Sequence, residues 1–206
     1  MNLTILLFFV IQLIFFLMIL LIVVLTLIRT FFSRLKHHKG NKIKLLIILG
    51  SGGHTAEMLQ LIKSIDLVNK YEALFIIADG DDHSEKKLRE NEFSLGQIAR
   101  VTRSRKVGQS YLTSIITTMI CLIQSFFICL RYRPKMVLCN GPGTCIPFCL
   151  VGKLICSKTV FVESFCRTKS LSLSGRIATR LCDHVLVQWP EVADENKNTK
   201  YIGFLL

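Results

Sequence analysis

Acidic residues are scarce in this sequence: 14 Asp and Glu stand against 26 Lys and Arg, a formal charge of +12 over 206 residues. Proline and glycine are few, at 4 and 12, and 51% of the residues are hydrophobic, which excludes a disordered or collagen-like chain. There are eight cysteines, but none forms a C-x-x-C pair and most lie inside apolar runs. A zinc site wants closer ligand pairs and a disulfide framework wants an oxidising compartment, so these cysteines read as reduced, structural, small hydrophobes. No RNP, KH or zinc-finger pattern accompanies the positive charge, so nucleic acid is not the expected partner. Between Met1 and Ile28 there is no charge at all.

That last absence defines a segment. Leu3 to Ile28 is interrupted only by Thr4, Gln12 and Thr26. As a helix it would be about 39 Å long at ~1.5 Å per residue, enough to cross a hydrocarbon core of ~30 Å with some tilt. A cleaved signal peptide would have a basic start, a shorter apolar core and a small-residue cleavage site, all missing here. Arg29, Arg34, Lys36, Lys39, Lys42 and Lys44 follow the run and no cation precedes it, so the body is expected on the cytosolic side. The expected organisation is a transmembrane anchor at 1–28, a basic juxtamembrane linker at 29–43 and one domain at 44–206.

The body alternates between short buried runs and helical patterns. Lys44–Leu49, Ala73–Ala78 and Met136–Cys139 read as buried strands, with Gln97–Thr102, Thr159–Val162 and His184–Val187 as further strands. His54–Ile65, Ser110–Leu130, Ile146–Ile155 and Ser174–Cys182 read as helices, and His83–Asn91 as a short helix or loop. This alternation predicts an α/β fold, a Rossmann-like parallel sheet with helices on both faces. The uncharged stretch Val107–Leu130 leaves three alternatives: a second span, a sheet-packing helix, or a sheet-packing helix whose outer face touches lipid. A polar stripe through Ser110, Thr113, Ser114, Thr117, Thr118, Gln124 and Ser125 argues against the span.

Two glycine loops follow strands. Gly50-Ser-Gly-Gly-His-Thr55 opens a helix, where free backbone N–H groups bind anions. It is no Walker A loop, and it is half a dinucleotide fingerprint, with Thr55 where a third glycine belongs and Asp79 as a candidate ribose ligand. His54 in the first helical turn is a candidate acid, base or phosphate donor. Asn140-Gly-Pro-Gly143 follows a second strand, and Glu163, Ser164 and Arg167 follow a third. In a parallel sheet the carboxyl ends of strands share one edge, so these loops are expected to face one crevice suited to a phosphorylated or hydroxyl-rich substrate. Asp79-Gly-Asp-Asp82 contains a D-x-D, but no further carboxylates support a metal site.

Leu49-Gly-Ser-Gly-Gly-His-Thr-Ala-Glu-Met58, Cys139-Asn-Gly-Pro-Gly143, Val162-Glu-Ser-Phe-Cys-Arg167, Leu171-Ser-Leu-Ser-Gly175 and Val187-Gln-Trp-Pro190 together resemble the Alg fourteen family. That family is the membrane-anchoring subunit of the UDP-N-acetylglucosamine transferase of dolichol-linked oligosaccharide synthesis. A looser likeness runs to the amino-terminal domain of the bacterial lipid-linked N-acetylglucosamine transferase of peptidoglycan synthesis. The resemblance implies one half of a B-type glycosyltransferase, split over two chains and inactive alone. This chain would be the acceptor-side half. A soluble Alg thirteen type partner would bind UDP-N-acetylglucosamine, and the acceptor would be a lipid diphosphate. The second sugar of the N-glycan precursor would be added at the endoplasmic reticulum membrane, extending to the nuclear envelope, by a single-pass chain facing the cytosol.

On this resemblance His54 and Glu163 are the expected catalytic residues. Ser51, Gly52, Gly53, Asn140, Gly141, Gly143, Ser164 and Arg167 are expected to bind acceptor and phosphate. No cofactor or metal is implied. The apolar end Tyr201-Ile-Gly-Phe-Leu-Leu206 would dock the partner through Tyr201, Phe204, Leu205 and Leu206, or else fold back on its own sheet. Two other functions remain open at this point. One is a passive membrane adaptor; the other is a membrane-bound NAD(P) reductase using Gly50 and Gly52.

Overall fold

A computed structural model describes residues 17–18, 24, 26–31, 42–91, 93, 96–105, 108–194 and 198–205. Most of the expected anchor and linker, and Leu206, lie outside these residues. Within them, 17–18, 24 and 26–31 are helical.

The body runs β1 (Ile43–Ile48), α1 (Gly53–Lys63), α2 (Leu67–Lys70), β2 (Tyr71–Ala78), α3 (Asp82–Arg89), β3 (Gln97–Val101), α4 (Tyr111–Tyr132), β4 (Met136–Asn140), α5 (Cys145–Leu154), β5 (Lys158–Val162), α6 (Leu173–Leu181), β6 (His184–Val187), α7 (Pro190–Asp194) and β7 (Thr199–Tyr201). The seven strands form one sheet in the order β3-β2-β1-β4-β5-β6-β7, every pairing parallel. Strand order reverses between β1 and β4, and a crevice opens there outside the carboxyl ends of the strands.

Alternation along the strands builds two cores. Leu46, Ile48, Leu74 and Ile76 face Cys121 and Cys129 of α4 and Phe148 and Cys149 of α5. Leu45, Ile47, Phe75 and Ile77 face Met58, Leu59 and Ile62 of α1 and Leu88 of α3. Both faces of the central strands are buried, so their sequences are continuous apolar runs. Five cysteines are fully buried, and burial raises the Cys121 and Cys145 thiols and pushes Cys129 up to about 12. Burial keeps these three thiols protonated, as packing groups of the core.

The expected strands and main helices are all present, with ends shifted by one or two residues. The segment after Asp79 is helical (α3), because Asp81 caps it: its carboxylate accepts from the Ser84 N–H (3.3 Å) and hydroxyl (2.8 Å). Three short elements, α2, α7 and β7, have too few residues for a periodic pattern. α4 packs on the sheet, and the middle of its polar stripe points inward, while Ser110 and Thr113 at its start are exposed. Gln124 accepts from the Thr102 N–H (2.8 Å), and Thr117 (2.6 Å) and Thr118 (3.2 Å) donate to the Ser104 carbonyl.

Candidate active-site crevice

The β1–α1 loop is fixed from below. Thr55, fully buried, donates to the Gly50 carbonyl, and the Ser84 hydroxyl of α3 lies 3.1 Å from that carbonyl and 2.6 Å from the Thr55 hydroxyl. The residue in the third glycine's place of a dinucleotide loop is therefore a clamp that holds the turn closed. At Gly50 a Cβ would lie 2.6 Å from the His54 Cβ and 2.9 Å from Pro142 Cδ, so only glycine lets the two loops approach.

His54 stands in the first turn of α1 against the β4–α5 loop. Its Nδ1 lies 2.9 Å from Asn140 Oδ1, and the Asn140 amide nitrogen donates to Glu57 Oε2 (3.0 Å). Glu57 also accepts from the Ser164 hydroxyl (2.9 Å) and the Phe165 N–H (3.3 Å), and is buried. This network sets the tautomer. A carboxylate can only accept, so the Asn140 NH2 must face Glu57 and its carbonyl oxygen must face His54. Nδ1 then carries the proton, and Nε2 is left as a free acceptor. Glu57 sits three residues after His54, on the same helical face.

The crevice in front of His54 has a volume of about 950 Å3. Ser51, Gly53, His54, Gly141, Gly143, Glu163, Ser164 and Arg167 line it, together with Glu57, Arg105, Gly108, Cys166, Ser172, Leu173 and Ser174. Of the expected residues, Asn140 stands behind His54, fully buried, and Gly52 is the N-cap residue of α1 with φ +64°. The N-termini of α1 and α6 both open onto the crevice, and Arg105 and Arg167 are exposed at its walls. Two helix N-termini and two guanidinium groups make a basin for an anion carrying several negative charges.

Glu163 is brought to the wall but is occupied. It is 1% exposed; Oε1 accepts from the Ser164 N–H (3.0 Å), and Oε2 from the Ser172 N–H (2.8 Å) and hydroxyl (2.9 Å). Ser172 in turn accepts from the Gly175 N–H (2.9 Å) and caps α6. A Cβ at Gly175 would come within 2.1 Å of Glu163 Oε2. What this carboxylate gives the crevice is the position of the α6 N-terminus.

The acids after β2 are used elsewhere: Asp81 caps α3, and Asp82 pairs with Arg100 at 2.8 Å. Among the described residues no group of three His, Cys, Asp or Glu is arranged to hold a metal ion. Among its described residues the apolar end does not line the crevice, and Leu205 packs against the core on the α1 face of the sheet. Tyr201 ends β7, Leu205 donates its N–H to Gln188 Oε1 (3.1 Å), and the Phe204 ring meets Trp189 at 5.0 Å and Phe165 at 5.7 Å. Phe204 remains 54% exposed.

The family-like motifs contain Glu57 and Ser172–Ser174 without a role assigned to them, and Arg105 is not among the residues expected in the crevice. Glu57 was legible from its i+3 spacing to His54. Arg105 was not, because its loop reaches the crevice only through the β3–α4 crossover.

Residues 45–205 match the family model described as oligosaccharide biosynthesis protein Alg14 like. The mouse UDP-N-acetylglucosamine transferase subunit ALG14 is 41% identical over 180 residues, covering 78% of this chain and 82% of that protein. The Yarrowia lipolytica protein of the same name is 33% identical over 187 residues, covering 85% and 87%. Among solved structures, MurG of Acinetobacter baumannii superposes with a TM-score of 0.58 at 12% identity, covering 73% of this chain and 42% of MurG. Arabidopsis thaliana UGT89C1, complexed with quercetin, gives 0.51 at 10% identity, covering 80% of this chain and 51% of its own. At these identities the likeness is one of fold, and the chain spans about half of each structure.

Proposed function

The chain belongs to the family of Alg14-like oligosaccharide biosynthesis proteins, and from that premise we propose that it is the membrane-anchored, acceptor-side subunit of a UDP-N-acetylglucosamine transferase. The observation that carries this reading is the crevice at the β1/β4 reversal, where His54 lines a basin built from the α1 and α6 N-termini, Arg105 and Arg167. The acceptor is a lipid diphosphate bearing N-acetylglucosamine, dolichol-linked in the oligosaccharide pathway. Its diphosphate sits against Arg167, Ser51 and Gly53, and Gly141, Gly143 and Ser164 shape the cleft around its sugar.

Nε2 takes the proton of the attacking sugar hydroxyl. The hydroxyl oxygen bonds to C1 of the donor sugar as the C1–O bond to UDP breaks, and UDP leaves with the electron pair. The donor is presented by a soluble partner subunit of the Alg thirteen type, a reading supported by relatives that are named as subunits of a UDP-N-acetylglucosamine transferase. A passive adaptor has no use for a buried Glu57–Asn140–His54 relay.

The test is transfer of N-acetylglucosamine to a lipid-diphosphate acceptor by the purified full chain, alone and with its donor-binding partner. Activity is expected only with both. His54→Ala should lower turnover of the assembled enzyme by more than about tenfold; a general base typically contributes ~100-fold or more. Recruitment of the partner should survive. Full turnover in an assembled His54→Ala complex would leave the adaptor reading.

The half-exposed Phe204, held by Trp189 and Phe165, is proposed as a contact for the donor subunit. Deleting Phe204 to Leu206 should abolish recruitment of the soluble partner to membranes and leave the chain as protease-resistant as before. Loss of that resistance would assign the segment to this domain's own core. Retention of both fold and partner would move the interface elsewhere.

The body is proposed to face the cytosol from the endoplasmic reticulum membrane, on the charge asymmetry around 1–28. A glycosylation acceptor placed within Lys39–Lys42 should stay unmodified in cells. Its modification would invert the topology.

A further inference from the structure

The outer face of α4 has the opposite character from that of a soluble protein's surface helix. Thr117, Thr118 and Gln124 are turned inward onto the 102–104 segment, and large apolar side chains are turned out. Leu112, Ile115, Ile116, Met119, Ile123 and Phe127 form one stripe at helical spacing, between 51% exposed at Met119 and 79% at Leu112. The helix is long and apolar enough to cross a membrane, with a mean hydropathy of 2.0 over its most apolar window, yet it packs on the sheet through Cys121, Cys129 and Tyr132. An exposed apolar stripe of this extent marks an interaction surface.

Charge and continuity identify what covers it. Arg131 and Arg133 are exposed at the C-terminal end of α4, with Lys135 just beyond, and none of the three has an acidic partner among the described residues. Arg105 stands exposed before the N-terminal end. An apolar face bounded by cations at both ends matches the interface of an anionic bilayer, acyl boundary in the middle and headgroups at the rim. The segment leading from the apolar N-terminal run enters the fold on this same side. Ile28 packs against the core cluster that contains α4, and Cys156 lies 3.8 Å from the Arg29 carbonyl. A partner subunit facing the crevice would sit at the carboxyl edge of the sheet and leave the flank of α4 uncovered.

We infer that α4 lies in the interface of an anionic membrane, its outer stripe in the acyl boundary, as a second membrane contact besides the N-terminal segment. Arg105 and Gly108, just before the start of α4, also line the crevice. In this pose the crevice mouth is at headgroup depth, where a lipid-linked diphosphate enters without its hydrocarbon chain leaving the bilayer. The contact itself rests on burial and charge and holds independently of the transferase reading.

The experiment places photoreactive benzoylphenylalanine at Ile116, Ile123 or Val68 of the full chain in vesicles of phosphatidylcholine and phosphatidylserine. Val68 is 63% exposed on α2, beside Leu67 of the opposite core. After irradiation, the peptides carrying positions 116 and 123 should gain the mass of one phospholipid, and the peptide carrying position 68 should gain none. Adducts to protein at 116 and 123, no adduct at either, or lipid adducts at all three positions would each overturn the inference. The readout needs no turnover, so it stands or falls separately from the assay of His54→Ala.

Discussion

Replacing Glu57 by Gln should cost the assembled enzyme roughly a hundredfold in turnover, the scale of a lost general base, with little change in thermal stability. Glutamine fills the same volume and still accepts from the Ser164 hydroxyl and the Phe165 N–H with its oxygen. Its NH2 then faces Asn140, which must turn its own carbonyl oxygen toward position 57 and its NH2 toward His54. Nδ1 becomes an acceptor, the ring proton moves to Nε2, and the atom facing the crevice can no longer take a proton. Three observations check this: kcat falls more than the KM for acceptor rises, the histidine ring nitrogen signals exchange protonation, and the melting temperature stays within a few degrees. Unchanged kcat would show that the tautomer does not matter. Glu57→Ala is the wrong test, because it strands buried donors on Asn140, Ser164 and Phe165 at ~1–3 kcal/mol each. That is a large part of a total stability of ~5–15 kcal/mol.

This relay also shows where the sequence was readable and where it was not. The strands buried on both faces are continuous apolar runs, and the two glycine loops sit at strand ends, so the parallel sheet and its crevice follow from residue order alone. Side-chain direction does not follow. Glu163 looks like a free carboxylate beside a loop, but the turn through Ser172 folds back onto Oε2, and the neighbouring Ser164 N–H takes Oε1. Glu57 looks like an ordinary helical glutamate, and becomes the hub because β4 delivers Asn140 and the β5 loop delivers Ser164 to the same side of α1. The polar stripe on α4 is visible as a stripe. Which way it faces is decided by the carbonyl of Ser104 and the N–H of Thr102, groups that no hydropathy pattern contains. The strand at 199–201 is three residues long and exists because β6 offers an unpaired edge.

The second large effect is expected at Gly141. Its φ is +73°, in the left-handed region, where a side chain is disfavoured by roughly 1–2 kcal/mol. The stronger constraint is space: a Cβ there would lie 2.3 Å from His54 Cε1, 2.4 Å from Nδ1 and 2.9 Å from Nε2. All three contacts are with one aromatic ring, which must rotate or translate away as a unit and give up its bond to Asn140. Gly141→Ala is therefore expected to match or exceed the turnover loss of His54→Ala, although the histidine is still present. Gly80 supplies the control that separates strain from displacement. It too is left-handed, at φ +75°, but a Cβ there meets nothing within 4 Å, and it lies in the turn after β2, outside the crevice lining. Gly80→Ala should thus lower the melting temperature by the left-handed strain alone and keep transfer, while Gly141→Ala, with the added clash, should lower it further and remove transfer. Equal turnover in the two variants would mean that the orientation of the imidazole, as held by Asn140 and Glu57, is not what the reaction uses.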